Sequence, residues 1–365
     1  MAKKRAIIVS AKYTPGHISH LAAFYWLFIK LNYDTTLLLD ERYRGVFDNT
    51  ICVEFLGDKT EFKASDITLI YNMSTIDSKI VRRIKEKNAK NITLFVYHEP
   101  WYGTKKWIID VATKRVKPVL LLKNIVIHHF AKKILKAVDV VLLPSQKAVD
   151  VYKKYDDRIN NNYRLFPLIF TDEVRNISSS KREYLSYVAT ADKEKNFPLF
   201  VEFIKKYFPI DDSLKVQIVT RTDIGEFWDE ALQQYVDNSR LVVQAGRNLS
   251  NEEINEALIS SSCTWLYYYH STQSGVLARA FMCGSPVLCS SSGCFKDYVD
   301  GSNGLICTGD TLTDIYETYC RIIKDNERMI LGARESFAKF DYRNEIEHAE
   351  DIIKEAERKL KRDYH

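Results

Sequence analysis

Short apolar runs rich in β-branched residues alternate with longer amphipathic stretches along the whole chain. The first half contains RAIIVSA (5–11), DTTLLLD (34–40), ITLIYN (67–72), ITLFVYH (92–98) and VDVVLLP (138–144). The second half contains YLSYVAT (184–190), KVQIVTR (215–221), LVVQAG (241–246), CTWLYYYH (263–270) and SPVLCSS (285–291). Near-continuous apolar character over so few residues predicts strands covered on both faces in a parallel sheet. Between them, HLAAFYWLFIKLN, DSKIVRRIKEKN, FPLFVEFIKKY and NEEINEALISS place apolar residues at helical spacing. Strand and helix alternating in this way predict doubly wound α/β units.

The alternation pauses at FTDEVRNISSSKR, which is polar, lacks a hydrophobic period and precedes a fresh strand at Tyr184. This divides the chain into an N-terminal domain (1–170), a linker (171–183) and a C-terminal domain (184–338). The last segment, 339–365, is a strongly charged helix pattern that could cross back to the N-terminal domain. Two domains also suit a length of 365 residues. Lys and Arg number 53 against 48 Asp and Glu, a balance of +5 that is too mild for a dedicated nucleic-acid binder. The seven cysteines include no CxxC pair, as expected for reduced thiols rather than a disulfide framework or zinc site. No stretch approaches the length of a membrane span, and the apolar run near the start is too short for a signal peptide. A cytoplasmic protein is expected.

In open α/β sheets ligands bind beyond the carboxyl ends of the strands. After the first strand, Tyr13-Thr14-Pro15-Gly16-His17 opens directly into an apolar helix, where a glycine permits close approach to the backbone. It is not GxGxxG, so a nicotinamide or flavin cofactor has no support. After the fourth strand comes His98-Glu99-Pro100-Trp101, whose polar pair can hydrogen-bond hydroxyls or move protons. The strand ending at His270 leads through Ser271, Thr272, Gln273 and Ser274 into a helix beginning at Gly275 and Val276. Hydroxyls and a helix N-terminus together form a diphosphate site that needs no metal. No Asp-x-Asp pair stands at a strand end, so no metal is expected.

The run Ala280-Phe281-Met282-Cys283-Gly284-Ser285-Pro286-Val287, followed by Ser292-Gly293 and Asp300-Gly301-Ser302-Asn303-Gly304, resembles the donor-binding region of GT-B glycosyltransferases of the family 4 type. Gly16 and His17 resemble that family's first glycine loop, and His98 its histidine after a central strand. Residues 187–196, ending at Lys195 and Asn196, stand where the family has V-G-R-x-x-x-x-K-G. The resemblance implies two Rossmann-like doubly wound domains facing across a cleft. It implies a retaining transfer from a nucleotide-diphosphate sugar, UDP- or GDP-linked, to a glycan, lipid-linked saccharide or other hydroxyl acceptor. Lys195, Ser274, Gly275 and Val276 would then meet the phosphates with Arg279 nearby, and Gly16 and His17 would come close to the diphosphate. Thr190 and His270 to Gln273 would complete the donor-binding set, and His98 would lie beside the transferred sugar. Glu99 is the nearby carboxylate for a double displacement, although a same-face, leaving-group-assisted substitution is the expected course. The chain departs from the family at its two glutamates, replaced by Ser271 and Arg279, and at its arginine, replaced by Thr190. Those losses keep a catalytically silent scaffold subunit as an alternative, alongside a sugar-nucleotide epimerase or phosphorylase on the same fold.

Residues 104–137 hold Lys105, Lys106, Lys114, Arg115, Lys117, Lys123, Lys132, Lys133 and Lys136 against one acid, Asp110, with apolar residues interleaved. Such a segment is either a solvated helix face or a surface for an anionic membrane on the cytoplasmic side.

Overall fold

The computed structural model describes residues 3–363 apart from 58–59, 61, 72, 114–116, 175–176, 178–180 and 270. The chain forms two compact units, 1–171 with 339–365, and 172–338.

The first unit is built on a sheet of seven parallel strands: β1 (Arg5–Ser10), β2 (Asp34–Leu39), β3 (Val53–Phe55), β4 (Ile67–Tyr71), β5 (Ile92–Val96), β6 (Val140–Leu143) and β7 (Tyr163–Leu165). They run in the order β3-β2-β1-β4-β5-β6-β7. Its helices are α1 (Ile18–Lys30), α2 (Asp77–Lys87), α3 (Thr104–Ala112), α4 (Pro118–Leu135) and α5 (Gln146–Tyr155). Alternate residues along each strand feed opposite faces. Ala6, Ile8, Leu37, Leu69 and Leu94 pack with Leu21, Phe24 and Phe28 of α1. Ile7, Val9, Ile70, Phe95 and Val141 pack with Ile80 and Ile84 of α2, Ile134 of α4 and Tyr152 of α5. Helices on both faces are what the unbroken apolar strands require.

The second unit carries six parallel strands: β8 (Tyr184–Val188), β9 (Lys215–Val219), β10 (Leu241–Gln244), β11 (Ser261–Leu266), β12 (Val287–Ser290) and β13 (Gly304–Cys307). Their order, β10-β9-β8-β11-β12-β13, repeats the first six positions of the other sheet. The helices are α6 (Phe197–Tyr207), α7 (Glu230–Asp237), α8 (Asn251–Ile259), α9 (Gly275–Met282), α10 (Leu312–Lys324) and α11 (Asn326–Ser336). The final helix, α12 (Ile346–Asp363), belongs to the first unit, where Ala349, Ile352, Ile353 and Ala356 join the core beside α1.

All ten runs form strands in their expected places. Three strands escaped the pattern. Val53–Phe55 and Tyr163–Leu165 are three-residue edge strands with no buried residue, and Gly304–Cys307 closes the other sheet's edge. The largest boundary difference lies at β11. The strand expected to end at His270 ends at Leu266, where Tyr268 N donates to Leu266 O at 2.9 Å and turns the chain out of the sheet. Among the described residues no helix is long and apolar enough to cross a membrane.

Candidate functional site

Each sheet reverses its strand order once, between β1 and β4 and between β8 and β11. Those are the switch points, where loops diverge and leave room for a ligand.

In the second unit the loops after β8 and β11 are tied together. Asp192 Oδ1 accepts from Lys195 N at 2.7 Å, and Tyr269 N donates to Glu194 O at 3.3 Å. The Lys195 ammonium lies 4.7 Å from the centre of the buried Tyr268 ring. A cation against the face of an aromatic ring is held where its charge is usable. The second loop then enters α9. Ser274 caps it, its Oγ accepting from Leu277 N at 3.2 Å. By helix geometry the N–H groups of Gly275 and Val276 have no acceptor within the helix and carry its positive end. Lys195 and this helix start are therefore presented at one switch point.

The remaining second-unit residues are placed as follows. The Ser271 hydroxyl turns back to Gln273 O, and Thr272 is buried. Ser271 is held from below by the turn after β12. Gly293 has φ +80°, and a Cβ there would come within 2.4 Å of Ser271 O, while Cys294 N donates to that oxygen at 2.8 Å. Thr190 is exposed, its carbonyl accepting from Tyr187 OH at 2.7 Å. His270 lies outside the described residues. Arg279 is 8% exposed, neither on an outer helix face nor an isolated charge. Its Nη1 donates to Glu173 Oε2 at 3.0 Å and to Asn255 Oδ1 at 2.8 Å, and Asn255 Nδ2 donates to the same glutamate oxygen at 3.2 Å. The guanidinium charge is met by Glu173. No spacing rule links positions 173, 255 and 279, so this network had no signature in the sequence.

In the first unit the site is a cluster of rings. His17 ends the turn Pro15–His17 before α1, and its ring stacks on His98 with centroids 5.2 Å apart. Tyr71, the last residue of β4, meets His17 at 5.2 Å and His98 at 4.7 Å. His20 adds a third histidine, 5.8 Å from Tyr71, with Nδ1 2.9 Å from Ile169 O. Burial, then the nearby Lys12 charge, lowers the His17 pKa to about 4. Burial, then His17 and His20, places His98 well below its ordinary value. Both rings are thus neutral near pH 7 and act as hydrogen-bonding groups rather than cations. Tyr71 and His20 were not singled out from the sequence. A tyrosine closing a buried strand at the sheet's reversal was the available signal. Gly16 has an ordinary φ, and a Cβ added there would meet nothing within 4 Å, so packing does not demand a glycine. Glu99 is exposed. Among the described residues no group of three or more His, Cys, Asp or Glu could hold a metal ion.

No protein-family model matches the chain, and no curated protein sequence matches it. Solved structures do. Sucrose-phosphate synthase from Thermosynechococcus elongatus aligns over 97% of this chain and 99% of its own, with a TM-score of 0.70 at 13% identity. Anabaena HepE in complex with UDP and glucose aligns over 96% and 99%, with a TM-score of 0.68 at 12% identity. A glycosyltransferase from Rickettsia africae aligns over 98% and 99%, with a TM-score of 0.68 at 10% identity. The two parallel-sheet units match the fold of GT-B glycosyltransferase structures.

Proposed function

We propose that the chain is a retaining glycosyltransferase of the family 4 type that needs no metal. It moves a hexosyl group from a UDP- or GDP-linked sugar to a hydroxyl on a glycan, lipid-linked saccharide or similar acceptor. One observation carries the reading: Lys195 and the N-terminus of α9 are presented together at the β8/β11 switch point. A leaving nucleotide diphosphate gains negative charge as the glycosidic bond breaks. A fixed ammonium and two backbone N–H groups stabilise that charge without having to reorganise.

The first unit serves the sugar and acceptor end. Neutral imidazoles at His17 and His98 can accept or donate hydrogen bonds to hydroxyls without drawing a counter-ion. Gly16 keeps the backbone clear for close approach, since its own packing has no use for the missing side chain. Glu99, exposed beside His98, supplies no buried nucleophile, so the proposed course is same-face substitution assisted by the leaving group. Arg279 supports α9 through Glu173 rather than touching the donor.

UDP is the first nucleotide to try, since Anabaena HepE, one of the similar structures, holds it. The test is a melting-temperature panel of UDP, GDP, CDP and ADP and their sugar conjugates, with and without magnesium, followed by donor hydrolysis. A ligand at a hundredfold excess over its Kd adds about 2.7 kcal/mol to the folded state. A shift from one nucleotide family, equal in EDTA, is expected. No shift from any of them sinks the donor site. A shift without hydrolysis or transfer favours the second reading, a silent binding subunit. That alternative is favoured by Ser271 and Arg279, whose polar groups are turned to Gln273 and Glu173.

A further inference from the structure

Helices α3 and α4 pack against each other and expose apolar side chains in a concentration found nowhere else among the described residues. Ile108 and Ile109 of α3 are 53% and 48% exposed; on α4, Val119 is 66%, Leu122 67%, Ile125 42% and Val126 55% exposed. Elsewhere exposed large apolar side chains occur singly, one to an element or loop. Single ones are ordinary, but a contiguous group implies a partner.

The spacing sorts α4 into two faces. Ala131, Ile134 and Leu135 turn inward. Val119, Leu122, Ile125 and Val126 share the outward face, and one to two turns on the same face continues as His129, Lys132, Lys133 and Lys136, all exposed. The face is therefore apolar at its N-terminal half, flanked there by the exposed Lys123, and basic at its C-terminal half. Asp110, the one acid between 104 and 137, is buried and lies 3.2 Å from Lys106. Lys114 and Arg115 lie outside the described residues. A second copy in an isologous contact would set these lysines against each other if the helices ran parallel and, if antiparallel, would offer them no acid from the same segment, whose one acid is buried. An apolar end grading into exposed lysines, of which, among the described residues, only Lys132 lies near a carboxylate, the buried Asp156, instead matches a surface that is itself apolar below and anionic above.

We propose that the outward face of α3 and α4 docks side-on into an anionic lipid bilayer. Val119, Leu122 and Val126 enter the acyl boundary, and Lys132, Lys133 and Lys136 meet the lipid phosphates. Helices of this kind sink roughly 5–10 Å, without spanning. The docking does not depend on the donor site, so the two stand or fall separately.

The test is flotation of the full chain with vesicles of phosphatidylcholine alone and of phosphatidylcholine mixed with phosphatidylglycerol. Binding to the mixed vesicles, weakened by salt, is expected. Lys132→Ala with Lys133→Ala should weaken it about twenty-five-fold, the product of about fivefold for each lysine near the surface. Leu122→Asp with Val126→Asp should abolish it with no change in melting temperature, since both side chains are exposed. No binding to the mixed vesicles, or binding indifferent to both pairs of substitutions, overturns the proposal. A concentration-dependent dimer that Leu122→Asp dissociates also overturns it, by assigning the face to a second copy.

Discussion

The sheets of the two units share a strand order, and each joins two loops where that order reverses, yet the loops carry different chemistry. At the β8/β11 reversal a lysine lies on a tyrosine ring beside a helix N-terminus. At the β1/β4 reversal stand rings, His17, Tyr71 and, from the next strand, His98, all uncharged near pH 7, with Lys12 of the loop after β1 the nearby cation. One topology thus delivers side chains to the same address twice, and the residues placed there decide what can bind. Positive, pre-oriented groups select a charged phosphate. Neutral imidazoles beside an unfilled glycine position suit an uncharged, hydroxyl-rich ligand. The fold explains where to look; the difference between the loops explains why the two units would not hold the same thing.

The largest expected effects test that division directly. Lys195→Ala should lower kcat/KM by about 10²–10³-fold, the usual cost of removing one fixed group that stabilises developing charge. The same substitution should erase the melting shift produced by the nucleotide. His98→Ala should lower turnover by a comparable factor and leave the nucleotide shift intact. Paired kinetic and melting measurements on the two variants check both halves. If His98→Ala removes nucleotide binding as well, the two reversals do not divide the substrate and the comparison fails.

A smaller effect concerns the support beneath the proposed phosphate end. Removing one partner of a buried ion pair leaves the other uncompensated, at about 3–5 kcal/mol. Glu173 retains access to solvent and Asn255, so Arg279→Ala should cost about 2 kcal/mol, a fall of roughly 4–8 °C in the second unit's melting. Nucleotide affinity of the folded variant should be unchanged in titration calorimetry. A tenfold loss of affinity with unaltered melting would instead make Arg279 a donor ligand.

How much of this was legible follows from the range of the interactions. Nine of the ten expected strands are interior and covered on both faces, and the tenth, β10, is an edge strand that still carries an apolar Leu241–Val243 run, so their local pattern carries their fate. β3, β7 and β13 lie at edges, are three or four residues long and leave no such mark. Lys195, Ser274 and His98 stood out because a motif and a strand end fixed their places. Tyr71, Tyr268 and the Arg279–Glu173–Asn255 network did not, because their roles come from partners far along the chain. The Glu173–Arg279 contact spans 106 residues. The Tyr267–Tyr269 run illustrates the boundary. The expected strand 263–270 takes in all three, but it stops at Leu266, and the run divides into a ring partly buried against the core (Tyr267), support for Lys195 (Tyr268) and an exposed ring (Tyr269).

The smallest effect is on the pH dependence of stability. The second unit has one histidine, His270, outside the described residues. In the first unit burial holds His17 and His128 down to about 4 and His98 well below its ordinary value. Unfolded, each ring takes a proton near pH 6.5, whereas folded it does so only at much lower pH. The stability they contribute is complete above about pH 6.5 and declines as pH falls toward 4, by about 1.4 kcal/mol per pH unit for each ring. Asp77 and Asp156 act in the opposite sense, since burial pushes both up to about 6. Their contribution is complete below about pH 4 and is lost as pH rises through 6. Three rings against two carboxylates leave the first unit a net decline on acidification. His17→Asn with His98→Asn removes two of the rings and hands the balance to the aspartates. Melting temperatures measured at about pH 6 and about pH 4.5 should then fall with acid in the parent and rise in the double variant. A double variant that keeps the parent's acid decline would mean the ring cluster is not held neutral in the folded protein, and the contrast between the two reversals would lose its electrostatic basis.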